Sequence, residues 1–218
     1  MHPWGVIFDW DGVIVDSSRQ HEESWNVLAH EQGRILPEGF FLQSFGMKNE
    51  KIIPELLGWT SEVESIGRLS RRKELIYREL IAAAGLQPLP GVQRLLDELS
   101  QAEVPCAVAS STPRENITCV IERLGIDNYF KSIICSEDVR EGKPHPEVFL
   151  LAASRLKLPP NRCVVIEDAH PGIEAARAGG FAVLAVATTH PARSLNKAAR
   201  VVSNLSAVTA GDLKALLG

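Results

Sequence analysis

Four cysteines in 218 residues, with no CxxC pair among them, argue against a disulfide-stapled scaffold and against a thiolate metal site. Cys106, Cys119, Cys135 and Cys163 are far apart, and three of them lie in or beside apolar runs, so they read as reduced core residues. No basic run stands out as an electrostatic footprint, and Lys plus Arg number 23 against 27 for Asp plus Glu, a net charge of -4, which speaks against nucleic acid as a partner. A basic leader is missing as well. The first apolar stretch is broken by Asp9, Asp11 and Asp16, which argues against a signal peptide or membrane span and gives a cytoplasmic expectation. Internal repeats and low-complexity tracts are absent. At 45% hydrophobic and 23% charged residues, what is present is an ordinary globule, long enough for one core and a smaller second domain.

Short apolar runs recur along the chain, each followed by a stretch of helical period: 5–8, 106–109, 132–135, 164–166 and 182–186. That alternation predicts an α/β fold, a three-layer Rossmann-like core around a central parallel sheet. Thr112-Pro113-Arg114-Glu115 offers a capping Thr, a Pro in the first turn and a Glu to complete a capping box. Ile117, Val120, Ile121 and Leu124 then repeat at helical spacing before Gly125, so Ser110 falls at a strand-to-helix turn. From about residue 17 to 86 the pattern is helical only, which predicts a small all-helical domain inserted after the first strand. Residues 1–16 and 87–218 would form the core, with hinges at Asp16-Ser17 and at Gln87-Pro88-Leu89-Pro90-Gly91.

The informative segment is Val6-Ile7-Phe8-Asp9-Trp10-Asp11-Gly12-Val13, in which an apolar strand runs into two acids one residue apart. Open α/β sheets bind ligands at the carboxyl ends of their strands. Asp-Gly alone would read as a solvated turn, but Asp9 comes directly off a buried run and bears a desolvation and like-charge cost unless something uses it. Glu167-Asp168 repeats the pattern after Val164-Val165-Ile166. Two such pairs can supply oxygen ligands for one Mg2+.

In these residues the chain resembles the haloacid dehalogenase superfamily of phosphotransferases, in the branch of β-phosphoglucomutase and small-metabolite phosphatases with a helical cap. The four matching motifs are Asp9-Trp10-Asp11-Gly12-Val13, the strand ending in Ser110, Lys143 in Gly142-Lys143-Pro144-His145-Pro146-Glu147, and Glu167-Asp168. The resemblance implies Asp9 as nucleophile, forming an aspartyl phosphate, and Asp11 as the acid and then base, with an elevated or conformationally gated pKa. It implies Mg2+ held by Asp9, the Asp11 backbone carbonyl and Asp168, with Glu167 close by or acting through water. Ser110 would bind the phosphoryl group, Lys143 would offset charge, and backbone N–H groups of Trp10, Asp11 and Ser111 would add donors. His21, in the hinge segment, would touch substrate or position Asp11. Specificity would reside in residues 17 to 86.

Asp11 separates the chain from dehalogenases and phosphonate hydrolases, which lack a second acid there. The leading reading is a Mg2+-dependent phosphoric monoester hydrolase acting on a small phosphorylated metabolite, as a monomer. A sugar phosphate mutase is the alternative. Mutases use basic residues around the segment 43–49, where this chain has Phe45 and Asn49, with Lys48 or Lys51 as substitutes by register shift. A noncatalytic binding protein is the third reading, opposed by the intact Asp9, Asp11, Lys143 and Asp168.

Overall fold

The computed structural model describes residues 3–44 and 47–218. The apolar runs become strands β1 (Gly5–Phe8), β2 (Cys106–Ala109), β3 (Phe130–Ile134), β4 (Cys163–Glu167) and β5 (Ala182–Val186), joined by β6 (Arg200–Val202). They make one parallel sheet in the order β3-β2-β1-β4-β5-β6. The helices are α1 (Ser18–Glu31), α2 (Phe40–Ser44), α3 (Asn49–Lys51, continuing as a π turn over Ile52–Leu56), α4 (Val63–Ala84), α5 (Val92–Gln101), α6 (Arg114–Leu124), α7 (Glu147–Leu156), α8 (His170–Ala178) and α9 (Ala210–Ala215).

Successive strand residues face opposite layers, which is why these strands are apolar throughout. Val6, Phe8, Val164 and Ile166 fill one layer with α5, α6 and α9, whereas Ile7, Ala107 and Val165 fill the other with α7 and α8. The sixth strand was not expected. It is three residues long, at the sheet edge, and only half-buried, so its sequence carries neither a run nor a clear period.

Between β1 and β2 the chain is helical only, as expected. Trp25, Leu28 and Ala29 of α1 pack with Phe40, Ile52, Ile53, Trp59, Leu69 and Ile76 in a separate apolar cluster. The Trp25 ring meets Phe40 and Trp59 edge-on, at 5.6 Å and 6.3 Å between centroids. The far end of α4 contributes Tyr77 and Ile81 to the sheet's own layer, so one helix spans both clusters. Where the chain leaves and re-enters the core, Leu89 N–H donates to the Ile14 carbonyl (2.8 Å) and Val15 pairs with Pro88. Strand order reverses on either side of β1, and the crevice this creates lies outside the carboxyl ends of β1 and β4.

Candidate functional site

Asp9 extends β1, its N–H donating to the Ile166 carbonyl (2.9 Å), and its carboxylate enters that crevice with only 8% of the residue exposed. Lys143 Nζ stands 2.8 Å from Asp9 Oδ1 and donates to Glu167 Oε1 at 2.7 Å. The other Glu167 oxygen accepts the backbone N–H groups of Asp168 and Ala169, both at 2.7 Å. Burial pushes the Asp9 carboxyl well above the usual range despite Lys143, and Glu167 and Asp11 add to the rise. Asp168 is pushed up in the same way, by burial and then by Glu167 and Asp9. Burial alone would lower the Lys143 pKa, but Asp9 and Glu167 outweigh it and hold the amine charged.

Two glycines make this convergence of acids possible. Gly12 turns the chain after Asp11 at φ 77°, and a Cβ there would lie 1.9 Å from Asp168 Oδ2. A Cβ on Gly172, in α8, would lie 1.6 Å from Glu167 Oε1.

A metal fits the site. Carboxylate oxygens of Asp9, Glu167 and Asp168 lie within 4.8 Å of one another, and Asp168 Oδ1 is buried with no hydrogen-bond partner among the described residues. Asp168 Oδ2 accepts from Thr189. An all-oxygen donor set with an orphaned carboxylate oxygen suits a hard divalent cation.

Asp11 is also buried but fully engaged. Ser17 Oγ donates to its Oδ1, Thr112 Oγ1 donates to its Oδ2, and His21 Nε2 lies 3.5 Å away. Burial would raise its pKa, yet His21, Ser17 and Thr112 outweigh burial and hold the carboxyl down at about 2. The expectation is an elevated or conformationally gated pKa; in this conformation it is not elevated, because three donors favour the charged form. One correction concerns Thr112. Pro113 occupies the N-cap of α6 and the helix has no side-chain cap, since the Thr112 hydroxyl is spent on Asp11. Glu115 completes no capping box and pairs instead with Arg78 at 3.1 Å.

Ser110, Ser111 and Lys143 line the same pocket as the two aspartates, and Ser110 Oγ accepts the Thr112 N–H at 3.1 Å. The Trp10 indole is packed wholly inside the sheet layer, so only its backbone could serve a ligand.

Over these residues sits a helical wall with its own buried charge. Lys73 Nζ donates to Glu74 Oε1 (3.0 Å) and meets His21 Nδ1 at 2.7 Å, while His21 Nε2 faces Asp11. His21 stacks on Tyr77, with centroids 4.1 Å apart. Glu74 further accepts from Asn49 (2.7 Å) and from Asn116 of α6, whose Oδ1 receives Arg78 at 3.0 Å. Lys48, expected as a stand-in for a mutase's basic cap residue, donates to the core carbonyls of Ser136 (2.7 Å) and Val139 (3.1 Å). Phe45 lies outside the described residues.

Sequence reasoning did not single out Ser17's hydroxyl, Lys73, Glu74, Asn116 or Thr189, and it read Thr112 only as a helix cap. For Lys73 a signal was available: Leu69, Lys73, Ile76, Tyr77 and Leu80 share one helical face, which places a charge on an apolar stripe.

A family model described as haloacid dehalogenase-like hydrolase matches residues 5–180. The chain is 38% identical, over 97% of its length, to the chloroplastic 5-amino-6-(5-phospho-D-ribitylamino)uracil phosphatase of Arabidopsis thaliana, and spans 57% of that relative. It is 30% identical to a phosphorylated carbohydrates phosphatase of Thermotoga maritima, over 81% of each chain. Among solved structures, β-phosphoglucomutase from Clostridium difficile superimposes with a TM-score of 0.88 at 27% identity, covering 99% of this chain and 97% of that one. With the motifs gathered at one crevice and a family match over most of its length, the chain belongs to the haloacid dehalogenase-like hydrolases, an enzyme of their β-phosphoglucomutase-like branch.

Proposed function

We propose that the chain is a Mg2+-dependent phosphatase of a small phosphorylated metabolite, working through an aspartyl phosphate on Asp9. The observation that carries this reading is the buried Asp9 carboxylate held by Lys143 beside an Asp168 oxygen with no partner among the described residues. Asp9 attacks phosphorus in line, the ester oxygen leaves with a proton from Asp11, and Asp11 then takes a proton from the water that attacks the acyl phosphate. The carboxyl as arranged here is ionised, the charge state from which the second half of that cycle starts. Ser110 and Ser111 bind phosphoryl oxygens. Lys143 neutralises charge that Asp9 and the phosphate share. Asp9, the Asp11 backbone carbonyl and Asp168 would hold the ion, and Glu167, whose oxygens are already taken by Lys143 and two N–H groups, would act from behind. When bound, Mg2+ offsets phosphate charge and aligns its oxygens.

Residues 17–86 act in this reading as a cap whose closure excludes water. Relatives that dephosphorylate a ribitylamino-uracil phosphate and carbohydrate phosphates support a small monoester as substrate. The mutase alternative is weakened by Lys48, tied to core carbonyls, and by Asn49, tied to Ser70 and Glu74.

The test is phosphate release from sugar phosphates, nucleotides, riboflavin phosphate, phosphoglycolate and the phosphoribitylamino-uracil, with and without Mg2+, with Asp9→Asn as blank. Mg2+-dependent release from a few related esters is expected. Release that survives Asp9→Asn overturns the mechanism, and conversion of β-glucose 1-phosphate to glucose 6-phosphate without release would make the protein a mutase.

A further inference from the structure

The helical wall of the pocket has a charge inventory that constrains what the far end of a substrate can be. Among the described residues, Lys48 and Lys73 are the lysines this wall turns toward the pocket, and the wall offers no arginine there. Both are committed. Lys48 lies between the Ser136 and Val139 carbonyls, and Lys73, 2% exposed, is paired with Glu74 and bonded to His21. Glu74 is itself buried, lines the pocket and is held below the ordinary carboxylate range, since Lys73, His21, Asn49 and Asn116 outweigh the burial that would raise it. The Lys73–Glu74 pair sums to zero, and among the described residues this wall has no free cation for a second phosphate.

Hydrogen-bonding capacity points the same way. Asn49 spends its amide nitrogen on Ser70 (3.1 Å) and Glu74 (2.7 Å), so its Oδ1 is the group left over, an acceptor. The Glu74 carboxylate, whose oxygens already accept from Lys73, Asn49 and Asn116, adds negative charge at the same end, and Trp25, Phe41 and Met47 add an apolar margin. The Ser70 hydroxyl can donate or accept and so discriminates neither way, but a phosphate, which brings acceptors and negative charge, meets like groups in Glu74 and Asn49 Oδ1. A hydroxyl or N–H meets complementary ones.

We propose that the helical end of the pocket takes the uncharged, hydroxyl- or N–H-bearing end of a monophosphate ester and rejects a second phosphate, with Glu74 as the specificity-determining side chain. The proposal rests on the phosphatase reading. It defines the substrate class as polyol, sugar or amino-heterocycle monophosphates and leaves out bisphosphates.

The experiment compares kcat/KM for matched pairs, fructose 1-phosphate with fructose 1,6-bisphosphate and glucose 6-phosphate with glucose 1,6-bisphosphate, with p-nitrophenyl phosphate as an ester lacking any far end. The wild-type protein is expected to favour the monophosphate of at least one pair by about tenfold or more. Glu74→Gln, which unmasks Lys73, and Asn49→Arg, which adds a cation without touching the Lys73–Glu74 pair, are each expected to narrow that ratio by roughly tenfold. Turnover of p-nitrophenyl phosphate with equal or better turnover of both bisphosphates overturns this inference alone. No Mg2+-dependent turnover of p-nitrophenyl phosphate or any ester overturns the phosphatase reading and this inference with it. A mono-to-bisphosphate ratio unchanged in both variants removes Glu74 and its neighbourhood as the determinant.

Discussion

The protein buries two ionic networks, one at the ends of β1 and β4 and one on α4, and they are built to opposite specifications. The sheet network sets Asp9 and Glu167 on Lys143 with Asp168 beside them, and leaves an Asp168 oxygen without a partner among the described residues. The helical network sets Lys73 against Glu74 and spends the carboxylate on Asn49 and Asn116. A buried network short of positive charge is costly until a cation arrives, whereas a balanced one is complete on folding. The first is therefore a place for chemistry on a charged group, and the second a rigid surface that sorts shapes and hydrogen bonds. His21 joins them, facing Asp11 through one ring nitrogen and Lys73 through the other.

Removing each lysine breaks the comparison most sharply. Lys143→Met leaves Asp9 and Glu167 buried without their cation, and urea unfolding should show a loss of about 3–5 kcal/mol together with loss of phosphate release. Lys73→Met strands one carboxylate that keeps two amide donors, so the same assay should show about 1–3 kcal/mol. Equal losses would mean that the two networks do not differ as described.

Acid titration sharpens the point. Glu74 has its pKa lowered from the ordinary 4.5, burial being outweighed by Lys73, His21, Asn49 and Asn116. A carboxyl held below its unfolded value contributes stability that is present above about pH 4.5 and lost as pH falls through the folded value. Thermal melts from pH 7 down to about 3 should therefore decline less steeply below about pH 4.5 in Glu74→Gln than in the wild type. Asp11 offers a finer test. Thr112→Val removes one donor to its charged form, so its pKa should rise from about 2 by up to roughly one unit, seen as a shift of the acidic limb of kcat to higher pH. The smallest effect is expected where neither network reaches: Ile35→Ser, at a side chain 93% exposed, should change stability by less than about 0.5 kcal/mol.

The sheet side of the molecule was far more legible in its sequence than the helical side. Five strands announced themselves as apolar runs, and acids directly following two of them were conspicuous because burial makes them expensive. Lys73 and Glu74 lie in Arg71-Arg72-Lys73-Glu74, a run that reads as a solvated face until the register of α4 turns two of its members inward. Thr112 was obscured differently. Thr-Pro-Arg-Glu is sound capping grammar, and only the approach of Asp11 from a strand distant in sequence diverts the hydroxyl. Local pattern reports what a residue could do for its own helix, and long-range contact decides which option it takes.

The glycines at 12 and 172 carry a practical consequence for anyone reshaping this protein. A single methyl group at either position would occupy space held by an acidic side chain, so saturation libraries that include them will return mostly dead clones regardless of the substrate screened. Diversity is better spent on Phe41, Ser44, Asn49 and Ser70, which border the pocket from the helical side, where new side chains can alter which molecule enters without disturbing the machinery beneath.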